Sequence, residues 1–208
     1  MLNPFSIFRR SVLYVRNILW VRLNPVNYGR RLGVRIGEGC HFLGASEPMF
    51  GSEPYLIKIG NNVTLSRGCD FITHDGGVRQ FRKIQPDIDV MGTVVIDDDV
   101  FVGPNVVFLP DTHLGERCVV GAGSVVKGHF PADSYIAGNP ARRTGSVQEY
   151  LDRVQKQLVP TSHMNSNEKR VFLENLFWHK GKSHVSDAAH AQDATSSGDR
   201  LPNAKAQS

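Results

Sequence analysis

Eight histidines are spread along the 208 residues, and each could move a proton, because imidazole is the side chain that ordinarily titrates near neutral pH. Position separates them. His184 and His190 stand in a tail of Ala, Ser, Gln and Asp, while His163 and His179 lie beyond the patterned part of the chain. His41 and His129 sit at the two ends of that part, and His113 precedes Leu114 at what reads as a corner. His74 differs: it follows Phe71 by three residues, adjoins Asp75, and opens the longest stretch without a pattern, GGVRQFRKIQPDIDVMGT at 76–93. A base placed there can take the proton of a hydroxyl as its oxygen attacks, which a neutral alcohol needs because it is a poor nucleophile. Asp75 and Asp70 are both candidates to fix its tautomer, and adjacency in sequence does not choose between them. Arg79, Arg82 and Lys83 follow in the same loop, whereas a shorter break, ASEPMFGSEP at 45–54, suggests no role.

The pattern that must position His74 has a period of six. Ile96, Val102, Phe108, Leu114, Val120 and Val126 recur without a gap, as do Ile59, Leu65 and Phe71 upstream. With 40% hydrophobic residues, six such hits in one phase arise by chance in under roughly one case in a hundred. Four residues after each comes a small or β-branched one: Val63, Cys69, Val100, Val106, Thr112, Cys118 and Ser124, with Ile36 and Cys40 at the same offset. All three cysteines thus occupy the small inward position and read as compact core residues; no C-x-x-C spacing points to a metal or a disulfide framework. Gly37, Gly60, Gly103, Gly115 and Gly121 each follow an aliphatic position, where glycine is expected for backbone angles closed to other residues.

Six fits neither an α-helix nor a long alternating strand. It fits one face of a triangular coil in which three hexads complete a turn and successive turns stack at about 4.8 Å. Four or five coils are expected between about Val34 and Phe130.

The run from Gly60 to Arg142, with GNNVTL, FITHDGG, FVGPNVVFLPDTHLGERCVVGAGSVVK and YIAGNPAR, resembles the hexapeptide-repeat acyltransferases, which include galactoside, serine, streptogramin and polysaccharide O-acetyltransferases. The resemblance implies a left-handed parallel β-helix, a homotrimer, and acetyl-CoA as donor for acylation of a hydroxyl. His74, in its Thr-His-Asp context, matches the family's catalytic base. Gly103, Ala122 and Gly123 match the residues lining the pantetheine path, and Lys127, Asn139 and Arg142 match those near the nucleotide end, with Lys127, Arg142 and Arg143 expected to cluster after the last coil. One departure is visible: relatives commonly carry Thr-Lys after the paired valines, where this chain has Lys127 and Gly128. In the family donor and acceptor meet between subunits, so His74 of one chain would face Ala122 of the next.

The domain plan that follows is an all-β core at 34–145, interrupted by loop 76–93, between an N-terminal segment at 1–33 and C-terminal helices at 146–182, with a disordered tail at 183–208. Phe5, Phe8, Val12, Val15, Leu19 and Leu23 recur at helical spacing before Pro25, so a helix over 5–23 is expected to cover the coil's open end or to lie on an anionic membrane. The net charge of +4 supports an anionic partner at that end, since residues 1–37 hold seven arginines and no acid. Those arginines also interrupt the only apolar stretch long enough to be considered for a membrane span or leader, so a cytoplasmic, membrane-associated protein is expected. Nothing points to nucleic acid. A sugar of a cell-surface polysaccharide is the expected acceptor; serine or an antibiotic, a zinc carbonic anhydrase built on His74, His113 and His129, and a non-catalytic scaffold are the rivals.

Overall fold

The computed structural model describes Val21, residues 23–44, Ser46 and residues 49–179, and the chain divides into two units, Met1–Tyr150 and Leu151–Ser208. The first contains helix α1 (Pro25–Leu32) and then twelve short strands: β1 (Arg35–Ile36), β2 (His41–Phe42), β3 (Ile57–Ile59), β4 (Thr64–Leu65), β5 (Asp70–Phe71), β6 (Val94–Ile96), β7 (Phe101–Val102), β8 (Val107–Leu114), β9 (Val119–Val120), β10 (Val125–Phe130), β11 (Ser134–Gly138) and β12 (Ala141–Ser146). Pairing makes three faces. One face stacks β1, β3, β6 and the second halves of β8 and β10; a second stacks β2, β4, β7, β9 and β11; the third stacks β5 with the first halves of β8 and β10. Every one of these contacts is parallel, so each passage round the three faces adds one coil.

The repeat explains the stacking. Register pairs Ile36 with Ile59, Ile59 with Ile96 and Ile96 with Leu114 on the first face, and Phe42, Leu65, Val102, Val120 and Ile136 in turn on the second. From Ile59 to Val126 no six-spaced residue is more than 2% exposed, and the small positions from Val63 to Ser124 are buried with them. Each such aliphatic or aromatic side chain contributes about 1.5–3 kcal/mol by leaving water. Polar members of the column are satisfied: Thr112 Oγ1 donates to Leu109 O at 2.7 Å, and Ser124 Oγ donates to Gly121 O at 2.7 Å. The column runs past Phe130 to Ile136, further than the sequence pattern reached, until β12 turns back antiparallel on β11 and ends the parallel stack.

Three expectations change. The glycines at 37, 60, 103, 115 and 121 do not adopt left-handed angles; those fall two residues later, at Gly39, Asn62, Asp99, Arg117, Asp133 and, on another edge, Gly68, Asn105 and Gly123. Glycine is needed for space instead, since a Cβ on Gly60 would stand 2.2 Å from Asp98 Oδ1 and 2.8 Å from Asp97 C in the next coil. Second, a further helix follows the expected one: Val21 and Leu23 are helical and Asn24 is not, as expected before Pro25, and Pro25 then opens α1, which Gly33, at φ +102°, closes. Residues 5–20 of the expected N-terminal helix and the tail after His179 lie outside the described residues. Third, His113 is on a strand rather than a corner, directly opposite His129 in register.

Within the span 146–182, where C-terminal helices are expected, α2 (Val147–Val154) and α3 (Ser166–Glu174) form, and Tyr150 in α2 stacks on Tyr135 at 4.7 Å. In the second unit α3 opens on a reciprocal cap, with Asn165 accepting from Glu168 N and Glu168 accepting from Asn165 N, both at 3.0 Å.

Candidate active site

Three phenylalanines of the third face decide where His74 stands. Phe71 N donates to Met49 O at 2.8 Å, which sets Phe50 beside Phe71, the two rings tilted with centroids 5.6 Å apart, and Phe71 stacks on Phe108 at 4.8 Å. Three residues after Phe71 comes His74; three residues after Phe50 comes Glu53. The two side chains therefore occupy the same corner of neighbouring coils, and they meet: His74 Nδ1 is 2.9 Å from Glu53 Oε2.

Glu53 is the tautomer partner that sequence reasoning missed. Its carboxylate also accepts from buried Thr73 Oγ1 at 2.9 Å, while Ser52 Oγ lies 3.4 Å from His74 Nδ1. Burial pushes the Glu53 carboxyl upward, and hydrogen bonds from Thr73, Ser52 and His74 outweigh that and hold it below the ordinary glutamate range. An ionised carboxylate on Nδ1 keeps the proton there and leaves the Nε2 lone pair free to accept one. The two aspartates considered from sequence stand elsewhere: Asp75 Oδ1 accepts from Gly77 N at 2.8 Å, capping the turn Gly76–Phe81, and Asp70 is exposed on β5. The clue was the phenylalanine ladder, but Phe50 follows Phe42 by eight residues rather than six, which hid Glu53 inside the shorter break.

Loop 76–93 closes on itself at its root. Asp75 N donates to Val90 O at 2.9 Å and Gly92 N to Thr73 O at 2.8 Å, with His74 paired antiparallel to Met91. The backbone of His74 is thereby fixed however long the loop. Its ring opens into a cavity of about 340 Å³ walled by Val90, Leu109, Pro110, Asp111 and Lys127.

The residues matched to the donor fall in two places. Lys127 shares the His74 cavity and does not cluster with Arg142 and Arg143, because it forms the single-residue corner between the two halves of β10 while both arginines lie on β12. Ala122, Gly123 and Asn139 are exposed on the edge between the second and third faces, and Arg142 is exposed beyond it. Gly103 is buried under that edge, where a Cβ would stand 2.7 Å from Ala122 N, so coil packing alone demands glycine. Gly123, at φ +68°, is open: a Cβ there would meet nothing within 4 Å. A slender chain therefore has room against exposed backbone at Gly123. His113 and His129 form a separate pair, rings 5.7 Å apart, and His113 Nε2 is 2.9 Å from Asp97 Oδ2. Among the described residues no three metal-ligating side chains converge, which removes the support for a zinc site on His74, His113 and His129.

The sequence profile of the bacterial transferase hexapeptide family (six repeats) matches residues 93–128. Protein CapG of Staphylococcus aureus is 45% identical over 148 residues, spanning 71% of this chain and 86% of that protein. The chain belongs to the hexapeptide-repeat acyltransferase family. WbbJ of Escherichia coli K12, provisionally named a lipopolysaccharide biosynthesis O-acetyl transferase, is 46% identical across 65% of this chain and 80% of its own length. A hexapeptide-repeat acetyltransferase of known structure from Vibrio cholerae is 26% identical, covers 61% of this chain and 81% of that one, and superposes with a TM-score of 0.43. As a hexapeptide-repeat acyltransferase the chain winds its coils left-handed, as expected from the resemblance and against the general preference of parallel crossovers for the right hand.

Proposed function

We propose that this chain is an acetyl-CoA-dependent O-acetyltransferase acting on a sugar hydroxyl in cell-surface polysaccharide assembly, with His74 as general base. The observation that carries the reading is the Glu53–His74 pair at 2.9 Å, beside a cavity large enough for a sugar ring. Relatives named for acetyl transfer support the donor, and the one named for lipopolysaccharide biosynthesis supports the acceptor class.

Acetyl-CoA supplies the acetyl group as a thioester. His74 Nε2 takes the proton as the acceptor oxygen bonds to the carbonyl carbon; on loss of the C–S bond the same nitrogen returns the proton to the departing thiolate. Glu53 stays ionised and steadies the imidazolium between the two transfers. Because His74 and the open corner at Ala122 and Gly123 occupy different edges of the β-helix, the site is completed between copies, His74 of one facing Ala122 of the next in a homotrimer. The cytoplasm is the compartment proposed, with residues 5–23 touching the membrane.

Titration calorimetry of the purified protein with acetyl-CoA and with CoA tests the donor, and micromolar affinity is expected. Absence of detectable binding would overturn the reading. Arg142→Ala should raise the Michaelis constant for the donor with a smaller change in turnover, and an unchanged constant would remove Arg142 from the site.

A further inference from the structure

The loop that begins at His74 presents apolar side chains to solvent, and its root adjoins the cavity. Val90 walls that cavity, Met91 pairs with His74, and Phe81 and Ile84 share one turn of the loop, where Ile84 N donates to Phe81 O at 2.8 Å. Phe81 is 59% exposed and Ile84 82%. Exposed apolar groups collected on one loop mark a surface that meets something apolar. The charges of the loop are uneven. Arg82 is engaged with Asp89, whereas among the described residues neither Arg79 nor Lys83 has an ion-pair partner, and Asp87 is the one loop acid left without one.

Two uncommitted cations with an adjoining aliphatic surface fit a ligand in which phosphate is joined to a hydrocarbon chain. Resting on the acyl-transfer reading above, we propose that loop 76–93 docks the carrier portion of the acceptor, so that the substrate is a sugar linked through a diphosphate to an isoprenoid chain rather than to a nucleotide. The sugar enters the cavity at His74, Arg79 and Lys83 take the diphosphate, and Phe81, Ile84, Val90 and Met91 cover the first isoprene units. A nucleotide would bring a flat polar base to this surface, where Phe81 offers a ring to stack on but Ile84, Val90 and Met91 offer no hydrogen-bond partner for the base's edge.

The full-length protein is titrated with two probes that lack the acceptor sugar, farnesyl diphosphate and UDP. The farnesyl compound should bind at least tenfold more tightly. The double variant Phe81→Ser/Ile84→Ser should erase that difference, and Arg79→Gln/Lys83→Gln should weaken farnesyl diphosphate by about tenfold, with acetyl-CoA affinity unchanged in both. Equal or tighter binding of UDP, or no loss in the serine variant, would overturn the proposal. So would binding to phosphatidylglycerol vesicles without binding to farnesyl diphosphate, which would make the loop a bilayer contact. A changed sedimentation coefficient in the serine variant would likewise overturn it by making the face a contact between copies. Failure of the wild type to bind acetyl-CoA is a separate outcome, and it strikes the acyl-transfer reading instead.

Discussion

Two edges of the β-helix are built on opposite plans. On the edge joining the first and second faces every coil repeats itself: Gly39, Asn62, Asp99, Arg117 and Asp133 all adopt left-handed angles at equivalent positions. Side chains there bind the coil next door, Asn61 Nδ2 to Asp98 Oδ2 and Asn62 Nδ2 to Asp99 Oδ1, both at 3.0 Å, with Arg117 bidentate on Asp133 at 2.8 Å for each bond. On the edge joining the third and first faces no two coils match. The corner is residues 72–93 in one coil, 109–111 in the next and Lys127 alone in the last. Repetition makes the first edge stable; irregularity leaves the other with a cavity, a loop and the imidazole. If the division is real, the two edges should respond differently to the same kinds of substitution.

The largest effect is expected on the irregular edge and in activity alone. His74→Ala should lower acyl transfer by about 100-fold or more, the usual contribution of a general base, while the melting temperature and CoA affinity stay close to wild type. Turnover within a few-fold of wild type would show that the proton leaves by another route.

Matched Gly→Ala changes test the edges directly. At Gly60 the new methyl meets Asp98 Oδ1 and backbone of the next coil within 3 Å, so Gly60→Ala should destabilise by about 1–3 kcal/mol in denaturant titration, as overpacking of a fixed site does. At Gly76 the same methyl meets nothing within 4 Å, and Gly76→Ala should stay within about 0.5 kcal/mol of wild type. Similar costs at both positions would mean that the repeating edge yields as readily as the loop.

How much could be read beforehand divides along the same line. The repeating part was legible because Ile96, Val102, Phe108, Leu114, Val120 and Val126 put apolar residues at one spacing of six, and chance does not. His74 was legible as the only histidine beside both the coil and its longest break. Glu53 was not, because the two extra residues between Phe42 and Phe50 shift it out of phase and only the ring stack on Phe71 restores the register. The role of Gly60 and its equivalents was misread for a related reason. Sequence shows that a position excludes side chains, but angle and crowding exclude them alike, and only the distance to Asp98 tells the two apart. Lys127 was assigned to the phosphate end by resemblance, and its place beside His74 follows from a shortened corner that has no signature in the hexads.

Glu53→Gln sharpens the comparison from the catalytic side. The amide can direct its NH2 at Nδ1, which moves the imidazole proton to Nε2 and takes away the base. Turnover should fall at least about tenfold, roughly 1.4 kcal/mol, with the donor's Michaelis constant unchanged. The substitution also removes a titration. Because the carboxyl is depressed in the folded protein, its stabilising contribution is present above the unfolded-state glutamate pKa and fades as pH falls through the folded one. The variant should therefore lose less stability than wild type on acidification. An identical acid limb in both proteins would show that the Glu53 bonds do not depend on charge.

The smallest expected effect falls on the repeating edge, where two causes can be separated. Asn62 holds φ +54° and donates to Asp99 Oδ1. Asn62→Ala loses the bond and keeps an angle that alanine tolerates poorly, so about 1–2 kcal/mol should be lost. Asn62→Gly loses the same bond but accepts the angle at no steric cost, so about 0.5–1 kcal/mol should be lost, part of it through the freer unfolded chain. If glycine is the worse of the two, the angle contributes little and the ladder of side-chain bonds holds the edge. If both are neutral, neither does, and the buried columns alone keep the coils in register.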